Sequence, residues 1–281
     1  MNLKPFLIQQ ANRLKQANIE NPMLDVRVLV MHVTGLSLED IIKNDAQITQ
    51  EQANNIDKLV SKRVNCEPIA YIIGSKEFYG LEFKLNQATL IPRPDTEVLI
   101  DAVLEYIQAD SAVTIADLGT GSGCILLSLL HNLPKATGIG IDIQQEAIDV
   151  AKYNAEYLGL AKRAKFAISD FSEGMRDQVD VIVSNPPYIR NDDIPHLMPS
   201  VAHYEPPVAL DGGNDGLECY RQLVNVVESS LKPGGVAFFE CGQGQHEQVA
   251  ALFCELKNVS LLDIKHDLAG IARCVVLKKY N

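Results

Sequence analysis

The run Asp180-Val181-Ile182-Val183-Ser184 leads into Asn185-Pro186-Pro187-Tyr188, a set of residues suited to gripping an amine. Two prolines end an extended segment, since neither donates to a strand ladder, and they stiffen the loop beyond it. The Asn185 side-chain oxygen and the Pro186 carbonyl are both acceptors, and two converging acceptors hold both hydrogens of a planar NH₂ group. An amide or aromatic amine is a poor nucleophile because its lone pair is delocalised. Fixing both hydrogens bends the nitrogen towards sp³ and turns its lone pair on an electrophilic carbon. Asn185, Pro186 and Tyr188 are therefore the candidate catalytic residues, with Tyr188 placed to cover the flat face of the target or shield the electrophile. Pro187 joins them as the fourth residue of the substrate pocket. A rigid turn after a strand is the plain alternative for Asn-Pro-Pro alone, so the neighbouring elements must decide.

The second chemical segment is Thr114-Ile115-Ala116-Asp117-Leu118-Gly119-Thr120-Gly121-Ser122-Gly123-Cys124, a strand running through a glycine loop into a helix. Glycines permit a tight turn and close ligand approach. The pattern is G-x-G-x-G, whereas a dinucleotide fingerprint needs G-x-G-x-x-G. Asp117, two residues before the first glycine, also suits a cationic ligand better than a pyrophosphate. The next strand ends at Asp142, positioned to accept from both hydroxyls of a ribose. The third ends in Ser169-Asp170-Phe171, where a carboxylate meets the exocyclic amine of an adenine and Phe171 lies against its ring. Three acidic strand ends beside one glycine loop describe a nucleoside site without phosphates. S-adenosylmethionine is such a ligand, and its expected contacts are Asp117, Gly119, Thr120, Gly121, Ser122, Gly123, Asp142, Asp170, Phe171 and Asn185. Ordinary solvated strand ends are the alternative for any one of these carboxylates taken alone.

Elements must hold these groups together. Up to about Cys66 the apolar residues recur at helical spacing: Phe6, Leu7, Leu14 and Ala17, then Leu24, Val28, Leu29, Met31 and His32 behind Pro22. Thr49 and Gln52 resemble a capping box opening a helix through Ile56, Leu59, Val60 and Val64. Residues 72–85 alternate around Gly80 with Phe78, Tyr79 and Phe83, which predicts a hairpin. Ile91-Pro92-Arg93-Pro94-Asp95-Thr96-Glu97 stops the extended chain and opens a helix towards Tyr106. From Ala112 onward apolar runs alternate with helical stretches, predicting a mostly parallel sheet covered on both faces. The last two of seven runs are joined only by 266–270, too short for a parallel crossover, so the final strand should be antiparallel. The expected organisation is a helical substrate-docking domain at 1–67, a β-hairpin linker at 68–90 and a catalytic domain at 91–281.

Composition excludes other classes. Of 281 residues 47% are hydrophobic and 22% charged, which rules out wholesale disorder. Lys plus Arg number 25 against 36 Asp plus Glu, so the net charge of −11 argues against a duplex-wide grip on phosphates. Residues 1–10 lack an apolar core behind a basic start, so no signal peptide is expected, and no apolar run reaches the length of a membrane span. The six cysteines lack CxxC pairing and the six histidines lack metal-ligand spacing. Reduced core thiols, no metal and a cytoplasmic location are expected. Cys124, opening a helix, is either a packing residue or a thiol of lowered pKa.

Taken with IPRPDTE at 91–97, YEPPVALDGGNDGL at 204–217 and HDLAGIARCV at 266–275, these motifs resemble the release-factor glutamine methyltransferases. The resemblance spans nearly the whole chain and is weakest before residue 68. It implies a Rossmann-like, seven-stranded class I methyltransferase sheet with its last strand antiparallel, preceded by a small all-α domain and a β-hairpin linker. It also implies S-adenosylmethionine-dependent methylation of the glutamine side-chain nitrogen (N5) in the Gly-Gly-Gln motif of class-1 peptide chain release factors, with the helical domain docking them. Gly119 to Gly123, Asp142, Phe171 and Asn185 match the family's cofactor contacts, and Asn185 to Tyr188 its glutamine pocket. Phe171 departs from the tryptophan frequent at its position. The alternatives are an adenine-N6 nucleic-acid methyltransferase, which usually carries a basic recognition region, a silent scaffold for translation partners, and a nicotinamide dehydrogenase, disfavoured by the glycine spacing and Asp117.

Overall fold

In the computed structural model the described residues are 1–43, 46–170 and 177–281. They form two compact units: Met1–Ser75 with Met198–Tyr204, and Lys76–Leu197 with Glu205–Asn281.

In the first unit, α1 (Leu3–Gln16) opens at Asn2, whose side chain accepts from the Lys4 N–H at 3.1 Å. Arg13 and Lys15 stand at its carbonyl end, where positive charge complements the helix dipole. Phe6, Leu7, Ala11 and Leu14 bury one face of that helix. The helix α2 (Pro22–Thr34) has its proline in the first turn and ends at Gly35, left-handed at φ +71°. After the short α3 (Leu38–Lys43), α4 (Gln50–Val64) carries the expected capping box. Thr49 Oγ1 accepts from the Gln52 N–H at 3.1 Å, and Gln52 Oε1 accepts from the Thr49 N–H at 2.9 Å. These faces close on a core of Leu3, Leu14, Leu29, Ile41, Ile56 and Val60. The distant turn α9 (Pro199–Ala202) also belongs to this unit, where the Tyr204 hydroxyl donates to the Asn65 carbonyl at 2.7 Å.

The hairpin is shorter than predicted. Ile69–Ile73 form a helix, α5, and the paired strands are β1 (Ser75–Phe78) and β2 (Leu81–Lys84). Ile72 is drawn into the core of the helical unit, and Gly74 at φ +74° ends the turn, so packing overrides the alternation of side chains. Tyr79 and Gly80 both take positive φ, the conformation of a tight hairpin turn.

In the second unit a 3₁₀ turn at Pro94–Thr96 leads into α6 (Glu97–Tyr106). Strands and helices then alternate: β3 (Thr114–Leu118), α7 (Cys124–Asn132), β4 (Thr137–Asp142), α8 (Gln145–Tyr157), β5 (Ala164–Ile168) and β6 (Val179–Ser184). The chain continues through α10 (Glu218–Ser230), β7 (Leu231–Glu240), α11 (His246–Cys254), β8 (Val259–His266) and β9 (Ala272–Lys279). Among the described residues the sheet order is β5-β4-β3-β6-β7-β9-β8. The pairs β5–β4, β4–β3, β3–β6 and β6–β7 are parallel, whereas β9 runs antiparallel to both β7 and β8, as the short 266–270 link requires. Alternate residues of β6 and β7 serve opposite faces: Val181, Val183 and Phe238 pack with α6 and α7, and Ile182, Ala237 and Phe239 with α10 and α11. A strand buried on both faces needs the continuous apolar run seen in the sequence.

Strand order reverses at β3. The chain steps outward through β4 and β5, then returns to place β6 on the other side of β3. Open α/β sheets bind ligands in the crevice beyond the strand ends at such a switch point. Gly119 follows β3 and Asn185 follows β6, so topology sets the two motifs side by side.

Candidate active site

The glycine loop owes its shape to Gly119, Gly121 and Gly123, all left-handed at φ +76°, +53° and +79°. An L side chain adopts this region at a cost, which explains three glycines in five residues. The Gly119 and Thr120 N–H groups both donate to the Ile141 carbonyl at 2.9 Å, stitching the loop to β4. No atom lies within 4 Å of a Cβ placed on Gly121, so that edge opens to a ligand. Below the loop, Asn154 is fully buried on α8: its side chain donates to the Ser122 and Lys84 carbonyls and accepts from the Lys84 N–H. One side chain thus ties glycine loop, hairpin and helix together.

Two carboxylates frame the loop. Asp142 accepts from the Gly121 N–H at 2.9 Å and the Gln144 N–H at 3.0 Å, one bond on each oxygen. Each oxygen keeps a lone pair for a further donor, the capacity a vicinal diol requires. Burial raises the Asp142 pKa, and the backbone N–H groups of Gln144, Gly121 and Ile143 oppose the shift. Asp117 lies wholly buried beneath the loop, accepting on Oδ2 from the Thr120 hydroxyl at 2.7 Å. Its Oδ1 has no partner, and burial pushes its carboxyl up to about 7. A buried carboxylate oxygen without a partner favours a ligand that brings a donor, best a cation.

Across the crevice, the Ser184 hydroxyl donates to the Leu118 carbonyl at 2.6 Å and locks the end of β6 to that of β3. Asn185 is next in the chain, its Nδ2 donating to the Thr96 hydroxyl oxygen at 3.2 Å. A cavity of about 290 Å³ lies between the two motifs. Gly119, Gly121 and Asp142 form one wall, Thr96, Asn185 and Pro187 the other. Thr120, Ser122 and Asp170 also line it.

Not every expected residue reaches this wall. Asp117 sits below the loop, Gly123 heads α7 against Leu127 and Ala151, Pro186 is buried and Phe171 lies outside the described residues. Tyr188, expected to cover the target, is likewise not among the residues that line the cavity. Its hydroxyl donates to Glu240 Oε1 at 3.3 Å, and the ring packs towards the α10 face of the sheet. Glycines pack closely against its backbone. A Cβ on Gly212 would stand 2.7 Å from the Tyr188 Cα, and one on Gly216 2.5 Å from its carbonyl oxygen, which Gln245 Nε2 holds at 3.1 Å.

Sequence reasoning missed Thr96 and Glu240. Glu240 ends β7, the strand beside β6, so the rule that found Asp142 and Asp170, an acid at a strand's carboxyl end, also points to it. Cys124 and Cys219 line the cavity, and burial pushes their thiols up to about 12 and about 11, leaving no reactive thiolate. Among the described residues no group of three His, Cys, Asp or Glu is disposed to hold a metal, and no helix is long and apolar enough to cross a membrane.

The family models that match are the PrmC N-terminal domain, over residues 6–74, and the methyltransferase small domain, over 96–200. A solved methyltransferase from Pyrococcus furiosus shares the fold, with a TM-score of 0.53, 17% identity and coverage of 73% of this chain and 92% of that one. Reversed final strand, glycine loop, Asp142 and unpartnered Asp117 oxygen together define a class I S-adenosylmethionine-dependent methyltransferase. Curated relatives narrow this. The chain is 42% identical to the release factor glutamine methyltransferase of Bradyrhizobium diazoefficiens, over 96% of this chain and 92% of the relative. It is 44% identical to that of Rhodospirillum rubrum, over 98% and 84%. This chain belongs to the release factor glutamine methyltransferase family.

Proposed function

We propose that this enzyme methylates the side-chain amide nitrogen of the glutamine in the Gly-Gly-Gln motif of class-1 peptide chain release factors. The observation that carries the reading is the Asn185 amide, held through its nitrogen so that its oxygen is left as an acceptor beside the cavity. S-adenosylmethionine supplies an electrophilic methyl on a sulfonium. Asp117 Oδ1 takes its ammonium, Asp142 both ribose hydroxyls and Asp170 the adenine amine, while Gly119 to Gly123 let the backbone approach. Asn185 Oδ1 and the Pro186 carbonyl receive the two amide hydrogens of glutamine, fixing the nitrogen with its lone pair on the methyl. Pro187 forms the wall beside it, and Tyr188 braces the loop from behind.

Positioning and exclusion of water do most of the work. No base is needed before attack: as the nitrogen–methyl bond forms the sulfonium–methyl bond breaks, S-adenosylhomocysteine leaves neutral, and the methylated nitrogen sheds its proton to water. Residues 1–67 serve as the docking domain, 68–90 as the link and 91–281 as the catalytic domain. Such a substrate places the reaction in the cytoplasm, with no nucleic acid as methyl acceptor.

Mass spectrometry after mixing enzyme, S-adenosylmethionine and unmethylated release factor tests the reading, with DNA and RNA in parallel. One methyl on the Gly-Gly-Gln glutamine is expected. Methyl on adenine instead moves the substrate class, and no transfer to any of them overturns the reading.

A further inference from the structure

We infer that Leu268, in the turn between β8 and β9, is an anchor on which the release factor docks. This rests on the proposed function, in which a release factor brings its glutamine to Asn185. HDLAGIARCV at 266–275 is a motif for which the transfer itself has no use. Among the described residues Leu268 is the most exposed large apolar residue, wholly in solvent. Gly, Asn, Asp and Ser are the usual turn residues, and a leucine here gains nothing from its own chain. Burial against a partner is the gain open to it.

The turn is built to hold it still. Asp267 Oδ1 accepts from the Ala269 and Ile271 N–H groups, both at 2.9 Å. The main chain closes the loop twice more: the Asp267 N–H donates to the Ile271 carbonyl and the Gly270 N–H to the Asp267 carbonyl, each at 2.9 Å. Gly270, left-handed at φ +78°, lets the chain reverse. Asp267 Oδ2 accepts from Arg273 Nε at 2.8 Å, and Arg273 Nη2 reaches Asp95 Oδ2 at 2.7 Å. These bonds, that from Arg273 most strongly, hold the Asp267 carboxyl below its ordinary range, so the tie persists at neutral pH. Asp95 precedes Thr96, which lines the cavity, so one guanidinium fastens the turn to the rim of the active site. An anchor fixed in advance binds without the ordering cost of a loose loop.

Topology supplies the occupant. Cys274 of β9 pairs with Glu240, the last residue of β7, and the two strands are antiparallel. The turn therefore leaves the sheet at the edge that bears Gly119 and Asn185. Along that edge β9 and β8 lie two and three strands from β6. At about 4.8 Å per strand, the turn stands about 10–14 Å from the strand that carries Asn185. A specific protein interface covers about 800 Å² on each partner, a disc of about 16 Å radius. A protein whose glutamine enters beside Asn185 thus lies over Leu268. The matching feature on the release factor is an apolar hollow beside its Gly-Gly-Gln loop.

The test uses the full-length enzyme, release factor and S-adenosylmethionine, with KM and kcat read separately. Leu268→Ser should raise KM for the release factor roughly tenfold, the scale of one buried leucine. Its kcat at saturation should stay within about twofold, and its dissociation constant for S-adenosylhomocysteine within about threefold, since the side chain touches neither reacting group. Leu268→Met should restore most of the lost affinity. Tyr280→Ser, just past the opposite end of β9, is the control and should leave KM unmoved. An unchanged KM in Leu268→Ser, a fall in kcat instead, or a methionine variant as weak as the serine one overturns the inference. So does a parent dimer that Leu268→Ser dissociates in sedimentation, which would seat a second copy on the turn. A parent enzyme that puts no methyl on the release factor removes the reading on which the docking rests. A parent that does, with KM unmoved by Leu268→Ser, sinks only the docking.

Discussion

Asp117→Asn sets stability against binding at one atom. Asp117 is wholly buried, and its carboxyl titrates at about 7 instead of 3.8 because burial disfavours the charge, an effect strengthened by Asp142 and opposed by the Thr120 hydroxyl. An acid whose folded pKa is raised holds its proton longer when folded, so stability falls as pH rises from about 4 to about 7 and then levels. The gap is worth about 4 kcal/mol at pH 8 and about 2 kcal/mol at pH 5, at about 1.4 kcal/mol per unit. Asparagine keeps the shape and still accepts from Thr120, but carries no charge to bury. Its NH₂ in the unpartnered position costs about 1–3 kcal/mol at either pH. The variant should therefore gain about 1–3 kcal/mol over the parent at pH 8, and that gain should shrink by about 2–3 kcal/mol at pH 5. Binding should move the other way. An ammonium that meets an NH₂ instead of a carboxylate loses a charge-assisted bond of about 1.5–3 kcal/mol, a roughly ten- to hundredfold weaker affinity. Urea midpoints at the two pH values and calorimetric titration with S-adenosylmethionine measure both halves. A pH-independent stability difference would refute the burial argument, and unchanged affinity would refute the ammonium assignment.

Asp142→Ala should weaken cofactor binding by about 1–3 kcal/mol, read by titration; an unaltered dissociation constant rules out the ribose role. Asn154→Ala should lower stability by about 3 kcal/mol in urea melts, since two carbonyls and one N–H lose a buried partner, and should loosen cofactor binding through the glycine loop. Lys279, 7% exposed, donates to the carbonyls of Val227, Glu228 and Leu231 at 3.3, 2.5 and 2.8 Å. Lys279→Met should cost about 3 kcal/mol by the same measurement while kcat at saturation stays unchanged, because only the end of α10 is uncapped.

Much of the site was legible because it rests on local rules. Three glycines in five residues announce positive φ whatever surrounds them, and paired prolines end a strand in any context. The Thr49–Gln52 capping box and the Pro22 helix start formed as read, since their bonds span only a few residues. The reversed last strand followed from the length of one connection. The failures share a different cause. Residues 69–73 became helical because Ile72 packs into a core built from distant helices. Tyr188 does not line the cavity, and its hydroxyl is held by Glu240, far off in the chain. Residues 198–204 joined the helical unit through contacts such as Tyr204 with Asn65, far apart in the chain.

Sequence by itself determined the glycine and proline turns that end two of the strands and the reversal of the last strand, for backbone chemistry and connection length act over short stretches. Only the tertiary structure decided which way the asparagine amide points and which carboxylate oxygen is left without a partner. Both depend on what a fold brings within about 3 Å, where a single proton can serve only one acceptor well.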